Sequence, residues 1–203
     1  MADDLPDEID WTEYYKVVAA RPPRDLFRQT IHRFPEADNT ARLAVDLGCG
    51  AGNETIAFLD LGWRVLAIDQ QAEALDHVLA STKPAQRSRL ESRVASLKDV
   101  ALPPADFIWA SASLPFVAPE DFAIVWDRIV TALKPGGRFA GDFFGPRHAW
   151  ATRRDMNFHD ADQVRALCRD LLVEYFIEEE GEKITATRGP QHWHAYSIVA
   201  RKT

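Results

Sequence analysis

The amino-acid sequence predicts an α/β fold with a doubly wound sheet of seven strands, mostly parallel and ending in an antiparallel strand pair. Three short segments, at residues 42–47, 64–68 and 106–110, are nearly continuous apolar runs, which is typical of parallel strands covered on both faces. Segments of helical periodicity separate them, and strands that alternate with helices indicate an open sheet. With 203 residues, we expect a single domain over residues 1–203.

Two helices are predicted before the first strand. Asp10 and Glu13 have the spacing of a capping box that opens a helix, and Pro22-Pro23 stops it. The predicted apolar face of this helix carries Trp11, Tyr14, Tyr15 and Val18. A second helix, with Phe27 and Ile31 at helical spacing, ends before the core begins.

The predicted core alternates strands and helices up to residue 144. Gly62 closes a helix over 53–61, because glycine readily adopts the conformation that ends a helix, and Pro84 ends the next one. The clearest helical period runs from Phe122 to Leu133, and a Lys-Pro-Gly-Gly turn at 134–137 ends it. The predicted strands are 42–47, 64–68, 90–95, 106–110 and 138–144.

After the fifth strand, a capping box of Asp160 and Gln163 opens the last predicted helix. Strands at 172–178 and 192–200 are predicted to pair antiparallel. We expect the acidic run of residues 178–180 to form a solvent-exposed hairpin turn between them.

A glycine-rich stretch, Val45-Asp46-Leu47-Gly48-Cys49-Gly50-Ala51-Gly52-Asn53, follows the first predicted strand. Glycine adopts positive φ at little cost and lets a ligand lie against the backbone. A strand that turns into a helix through Gly48, Gly50 and Gly52 therefore predicts a nucleotide-binding loop. The dinucleotide fingerprint would need its third glycine at Asn53, so the loop favours an adenosine ligand over NAD.

Two acids accompany this loop. Asp69 ends the second predicted strand, 21 residues after Gly48, where a carboxylate can accept both ribose hydroxyls of an adenosine. Asp46 precedes Gly48 by two residues. A tight strand-to-helix turn alone would not require both acids. With the three glycines, this pattern resembles the cofactor motif of class I S-adenosylmethionine-dependent methyltransferases.

The resemblance extends over nearly the whole chain. ADFIWASASLPF is similar to the fourth-strand motif of that family, and LKPGGRFAGDFFG is similar to its following turn and fifth strand. The subgroup that the chain most resembles is the small bacterial tellurite-resistance and thiopurine type, which acts on small molecules. The resemblance implies a Rossmann-like core at residues 41–203, with helices of residues 1–40 covering the cofactor cleft.

The implied cofactor is S-adenosyl-L-methionine, with S-adenosyl-L-homocysteine as the product. Carried over from the family, Asp46 would orient the loop or reach the amino group through water. Asp69 would hold the ribose hydroxyls, Gln70 would lie beside the adenine, and Ala110 would border the methionine end. The implied cofactor-binding residues are Asp46, Gly48, Gly50, Gly52, Asp69, Gln70, Ser96, Leu97, Asp99 and Ala110.

The segment after the third predicted strand can be aligned with the family's adenine-contacting residue in two ways. The family commonly places an acid after the third strand, at the adenine amino group. In one register of this chain that acid is Asp99, and in the other a hydroxyl replaces it, with Ser96 and Leu97 at the contact.

The candidates for substrate contacts are Trp11, Tyr15, Arg147, His148, Trp150 and His194. The first two either cover the cleft or pack their helix. The segment from Gly145 to His159 follows the fifth strand at the ligand-binding edge, and loops of this length are often functional, although an ordinary surface connection explains it equally well. Arg147 either attracts an anionic substrate or pairs with an acid such as Asp142.

A metal site is not expected. His192 and His194 share one strand face, but no third ligand is evident nearby in the sequence. The sequence also singles out no catalytic residue, because only a nucleophile that arrives protonated needs a general base.

Composition excludes some partners. The net charge of −7 disfavours nucleic acid, and the chain has no apolar run long enough for a membrane span. Two cysteines and the absence of a secretory signal favour a reduced, cytoplasmic protein, and we expect a monomer or homodimer.

The predicted function is methyl transfer from S-adenosylmethionine to a small-molecule nucleophile. Two alternatives stay open at this stage: an NAD-dependent oxidoreductase, and a methyltransferase-like domain that binds without turnover.

Overall fold

The computed structural model describes residues 10–19, 21–35 and 42–203; the other parts of the predicted N-terminal segment lie outside the described residues. The helices are α1 (Trp11–Val18), α2 (Asp25–Ile31), α3 (Asn53–Asp60), α4 (Ala72–Ser81), α5 (Pro119–Ala132) and α6 (Ala161–Leu167), with 3-10 helices at Pro84–Arg89 and Leu114–Phe116. The strands are β1 (Leu43–Leu47), β2 (Arg64–Asp69), β3 (Leu90–Val94), β4 (Ala105–Ala110), β5 (Leu133–Phe144), β6 (Leu171–Thr185) and β7 (Gly189–Lys202).

The seven strands form one sheet in the order β3-β2-β1-β4-β5-β7-β6. Strands β1 to β5 are parallel, while β7 runs antiparallel to both β5 and β6. This confirms the predicted fold class. The strand order reverses between β1 and β4, and open α/β sheets bind ligands at the carboxyl ends of the strands at such a point.

Each face of the sheet carries its own apolar core. On one face, α2 and α3 pack against Phe107 and Trp109 of β4, together with Phe58 and Trp63. On the other face, Trp126 of α5 packs against β5 and its neighbours. Burial on both faces explains why the parallel strands are apolar along their length.

The predicted capping residues begin their helices as expected. The Asp10 side chain accepts a hydrogen bond from the Glu13 N–H at 3.0 Å, and Asp160 and Gln163 form a reciprocal capping box. Among the described residues, no helix combines the length and the apolar character needed to cross a bilayer.

The predicted hairpin turn at residues 178–180 is wrong. These acids lie within β6, where Glu180 pairs with His194 of β7, and the chain reverses instead at residues 186–188. The Thr185 hydroxyl closes that turn, because it accepts from the Arg188 N–H and donates to the Gly189 carbonyl. The acidic residues stay in the strand because they meet basic partners across it, such as Arg147.

We expect Phe107→Ala to lower the free energy of unfolding by about 3–5 kcal/mol. The Phe107 ring is fully buried and contacts five other rings. Urea denaturation measures the loss. The control is Ile124→Ala, because Ile124 of α5 is 53% exposed and should change stability by less than about 0.5 kcal/mol. Equal losses in the two variants would contradict this assignment of the core.

Candidate cofactor and acceptor site

The loop between β1 and α3 depends on glycine at three positions. Gly48, Gly50 and Gly52 have φ values of 71°, 51° and 84°, in the left-handed region. A Cβ on Gly48 would lie 2.5 Å from the Ser113 Cβ, and one on Gly52 would lie 2.7 Å from Val78. Gly48 therefore allows close packing against Ser113 and Gly52 allows close packing against α4, while Gly48 and Gly50 both line a cleft.

Asp69 is held at the edge of this cleft by the loop itself. Its two carboxylate oxygens accept from the Gly50 N–H and the Gln71 N–H, each at 2.9 Å. Burial raises the pKa of Asp69, while these N–H groups and the Tyr15 hydroxyl act in the opposite direction. Each carboxylate oxygen has two acceptor positions, so the fixed carboxylate can still accept from a ligand.

Asp46 lies deeper and is almost completely buried. Its carboxylate accepts from the Thr55 hydroxyl at 2.6 Å. Burial raises the pKa of Asp46 to about 8, with a smaller contribution from the nearby acids Glu54 and Asp69. A cationic group bound beside Asp46 would lower this pKa again, because it favours the ionised form.

The other implied cofactor residues divide between the cleft wall and its surroundings. Gln70, Ser96 and Leu97 line the cleft. Asp99 is exposed outside the lining, and Ala110 is buried within the sheet. The structure therefore places the Ser96 and Leu97 register, and not the Asp99 register, at the cleft.

From the sequence, Ala110 at the end of β4 is singled out as a cofactor contact, and no individual residue after it. Ser111, Ala112 and Ser113 all line the cleft. Ala112 has φ 51°, a left-handed conformation that costs a non-glycine residue roughly 1–3 kcal/mol and often occurs at functional sites. The Ser113 hydroxyl is buried beside Gly48 and has no hydrogen-bond partner within the described residues. The position of this segment after a buried parallel strand was the available signal.

Helix α1 covers the cleft from above. Trp11 and Tyr15 both line it, and Tyr15 lies 3.5 Å from the position of a Cβ on Gly50. The helix is anchored by bonds from Thr12 to Glu73 at 2.6 Å and from the Asn53 side chain to the Val18 carbonyl at 2.9 Å. The aromatic residues of α1 therefore pack the helix and face the cleft at the same time.

A second cavity of about 690 Å³ adjoins the cleft. The chain between α1 and α2 forms one wall, and the β6–β7 hairpin forms the opposite wall. The residues that line both spaces are Trp11, Tyr14, Val18, Arg21, Arg24, Ala112 and Phe116. Trp150, one of the predicted substrate residues, lies on the second cavity.

Arg147, His148 and His194 lie outside both linings. The Arg147 guanidinium pairs with Glu180 at 2.7 Å and Glu178 at 2.9 Å, so its expected acidic partner is in β6 and is not Asp142. His148 stacks on the Phe144 ring with centroids 4.1 Å apart, and burial lowers its pKa to about 4.

Glu178, Glu180 and His194 bring one ligand atom each within 4.8 Å of one another, which is the spacing of a metal site. However, Nδ1 of His194 accepts from the Arg147 backbone N–H at 3.1 Å, and Nε2 lies 2.9 Å from Glu178 and 3.1 Å from the Arg147 guanidinium. Both ring nitrogens therefore already have partners, and the Arg147 guanidinium supplies positive charge between the two carboxylates. The arrangement is that of an ion-pair cluster.

Residues 45–141 match a family model described as a methyltransferase domain. This segment contains the glycine loop, Asp69 and the residues that follow β4. The chain has the class I S-adenosylmethionine-dependent methyltransferase fold. The predicted fold is confirmed by the structural likenesses, while the family match covers just under half of the chain. A sequence comparison with curated proteins finds no match.

Several solved methyltransferase structures share this fold. TehB from Haemophilus influenzae superposes with a TM-score of 0.71 at 14% identity over 88% of this chain, which spans 62% of the length of TehB. An S-adenosylmethionine-dependent methyltransferase from Methanosarcina mazei gives 0.65 at 20% identity, covering 85% of this chain and 96% of that one. Geranyl diphosphate C-methyltransferase from Streptomyces coelicolor A3(2), crystallised with Mg²⁺, geranyl diphosphate and S-adenosyl-L-homocysteine, gives 0.66 at 16% identity, covering 87% and 78%.

We expect Asp46→Asn to flatten the dependence of stability on pH. The pKa of Asp46 is about 8 in the folded methyltransferase domain and near its usual 3.8 in the unfolded chain. Between these values the folded state binds the extra proton, so the stability of the cofactor-free protein falls as pH rises through this window. Asparagine removes this contribution. Chemical denaturation from pH 5 to pH 9 measures the difference.

The control for this measurement is Asp99→Asn, which removes an exposed carboxylate outside the cleft. Its profile should run parallel to that of the wild type. A parallel profile for Asp46→Asn as well would show that Asp46 is already ionised in the folded protein.

Proposed function

We propose that this protein transfers a methyl group from S-adenosylmethionine to a small-molecule nucleophile bound in the second cavity. The observation that carries the proposal is the continuity of the two spaces. The glycine loop and Asp69 line the cleft, and the second cavity opens from the cleft past Ala112 and Phe116, which line both. A cofactor on the loop would thus reach an acceptor without crossing the protein core.

S-adenosylmethionine is the expected cofactor, and the family match and the methyltransferase neighbours confirm this prediction. The cleft fits it in chemical terms. The amino-acid part would lie along the backbone of Gly48 and Gly50, which line the cleft, and Asp69 would accept the ribose hydroxyls. The unpartnered Ser113 hydroxyl would satisfy a polar group beside Gly48.

The protein's contribution to catalysis is position and exclusion of water. The cofactor supplies an electrophilic methyl group when bound. Helix α1 covers the cleft, and Trp11 and Phe116, with ring centroids 5.3 Å apart, stand where the cleft meets the cavity. These rings would hold the acceptor in line with the methyl group and keep water away.

A small acceptor suits the cavity. Its volume of about 690 Å³ is in the range of sites that enclose drug-sized molecules. The net charge of −7 opposes the approach of a nucleic acid. A cytoplasmic location fits the two free, buried cysteines, Cys49 and Cys168.

The NAD alternative receives no support from the loop. Asn53 stands where the dinucleotide fingerprint has its third glycine, which allows close helix–strand packing, and its side chain donates to the Val18 carbonyl. The same bond ties the loop to α1, which covers the cleft. Binding without turnover is separated from catalysis by the acceptor experiment described below.

We expect Asp69→Asn to weaken S-adenosyl-L-homocysteine binding about 10- to 100-fold, because hydrogen bonds to a charged group contribute about 1.5–3 kcal/mol. Calorimetric titration of the product into wild type and variant measures the loss. Asp99→Asn is the matched control and should bind like the wild type, since Asp99 lies outside the cleft. If the wild type itself releases no heat at saturating product concentrations, the proposed function is refuted.

A further inference from the structure

We propose that Asp142 accepts the proton of the methyl acceptor, and that the acceptor is therefore a hydroxyl- or amine-bearing molecule. This inference rests on the proposed function and assigns the acceptor half of the same site. It starts from the strand register. Asp142 of β5 lies opposite Ser197 of β7, and the neighbouring pair Ala110 and Gly141 aligns β4 with β5. Ser111, Asp142 and Ser197 consequently stand side by side on one face of the sheet.

Hydrogen bonds join these three side chains. The Ser111 hydroxyl donates to one carboxylate oxygen of Asp142 at 2.5 Å, and the Ser197 hydroxyl donates to the other at 2.5 Å. No basic side chain among the described residues forms an ion pair with Asp142. The two serine donors fix the orientation of the carboxylate, and each carboxylate oxygen keeps a further acceptor position for a donor on the ligand.

Ser111, Asp142 and Ser197 lie at the boundary between the cofactor cleft and the second cavity. Ser111 lines the cofactor cleft, whereas Asp142 and Ser197 line the second cavity. Ala112, which lines both, has the strained left-handed backbone that turns the chain at this boundary. A nucleophilic atom between cleft and cavity would lie beside Asp142.

The cavity itself narrows the class of acceptor. Its walls include the rings of Trp11, Phe116, Trp150 and Trp193, and its volume of about 690 Å³ is far larger than an oxyanion of a few atoms. The cavity walls carry basic side chains such as Arg24 and Arg28, but at the boundary itself the Asp142 carboxylate repels a nucleophile that arrives as an anion and can accept a hydrogen bond from one that carries a proton. The fitting acceptor is an apolar or aromatic molecule with a hydroxyl or amine group.

The proposed methyl transfer conserves atoms and electrons. The acceptor oxygen or nitrogen forms a bond to the methyl carbon while the carbon–sulfur bond breaks, and that electron pair stays on sulfur. The acceptor's proton passes to Asp142, either directly or through Ser111, which gives its own proton to Asp142 as it takes the acceptor's. Asp142 returns the proton to water once the methylated product leaves.

The test measures turnover of methyl-labelled S-adenosylmethionine with a panel of aromatic alcohols, phenols and primary amines, beside thiols and inorganic chalcogen oxyanions. We expect the wild type to methylate a hydroxyl or amine acceptor. Asp142→Asn should lower kcat for that acceptor by at least about 100-fold, the size of a general-base contribution, with a much smaller change in KM.

Two further variants separate proton transfer from a structural effect. Asp142→Glu keeps a carboxylate and should recover part of kcat. Asp127→Asn makes the same change of charge at an exposed residue of α5 outside both linings, and should leave kcat near the wild-type value. Calorimetric titration of S-adenosyl-L-homocysteine verifies that every variant is folded and binds the product.

The outcomes are distinct. Methylation of thiols or oxyanions alone, full kcat in Asp142→Asn, or no methylated hydroxyl or amine acceptor despite normal product binding would each overturn the role of Asp142 and leave the proposed cofactor site intact. Absence of product binding to the wild type refutes the proposed function itself.

Discussion

The hydrogen bond from the Gly50 N–H to the Asp69 carboxylate joins the end of β1 to the end of β2, and the ligand-binding edge depends on it. The bond forms only because Gly48 and Gly50 adopt left-handed conformations, which bring the loop back over the neighbouring strand. The Gly48 and Cys49 N–H groups then donate to the Ile68 carbonyl at 2.8 and 3.0 Å. One bend thus fixes the backbone and the carboxylate that face the cleft.

Features encoded by local sequence could be predicted well. The glycine loop, the buried parallel strands and the caps at Asp10 and Asp160 each depend on residues close together in the chain. The seven-stranded order also follows, because alternating strands and helices leave few ways to build an open sheet. These signals specify the cofactor half of the site, which lies within residues 45–141.

Features created by partners distant in sequence could not be predicted. The length of β6 is determined by its pairing with β7, and Glu178 and Glu180 stay in the strand because Arg147 lies across them, 31 and 33 residues away. Asp142 gave no signal of its own, since its serine partners are 31 and 55 residues away. Loop composition suggested His148, and the strand face shared with His192 suggested His194, as substrate residues. In the folded chain His148 stacks on Phe144 and His194 accepts from the Arg147 N–H.

This division has a functional consequence. The walls of the second cavity come mainly from the segment between α1 and α2 and from the β6–β7 hairpin, both outside the matched methyltransferase domain. The Gly50 and Asp69 pair, in contrast, lies wholly within the matched segment. The proposed acceptor site therefore draws mainly on parts of the chain that the cofactor loop does not use. Asp142 directly follows the matched segment and lines the second cavity, so it stands between these two parts of the chain.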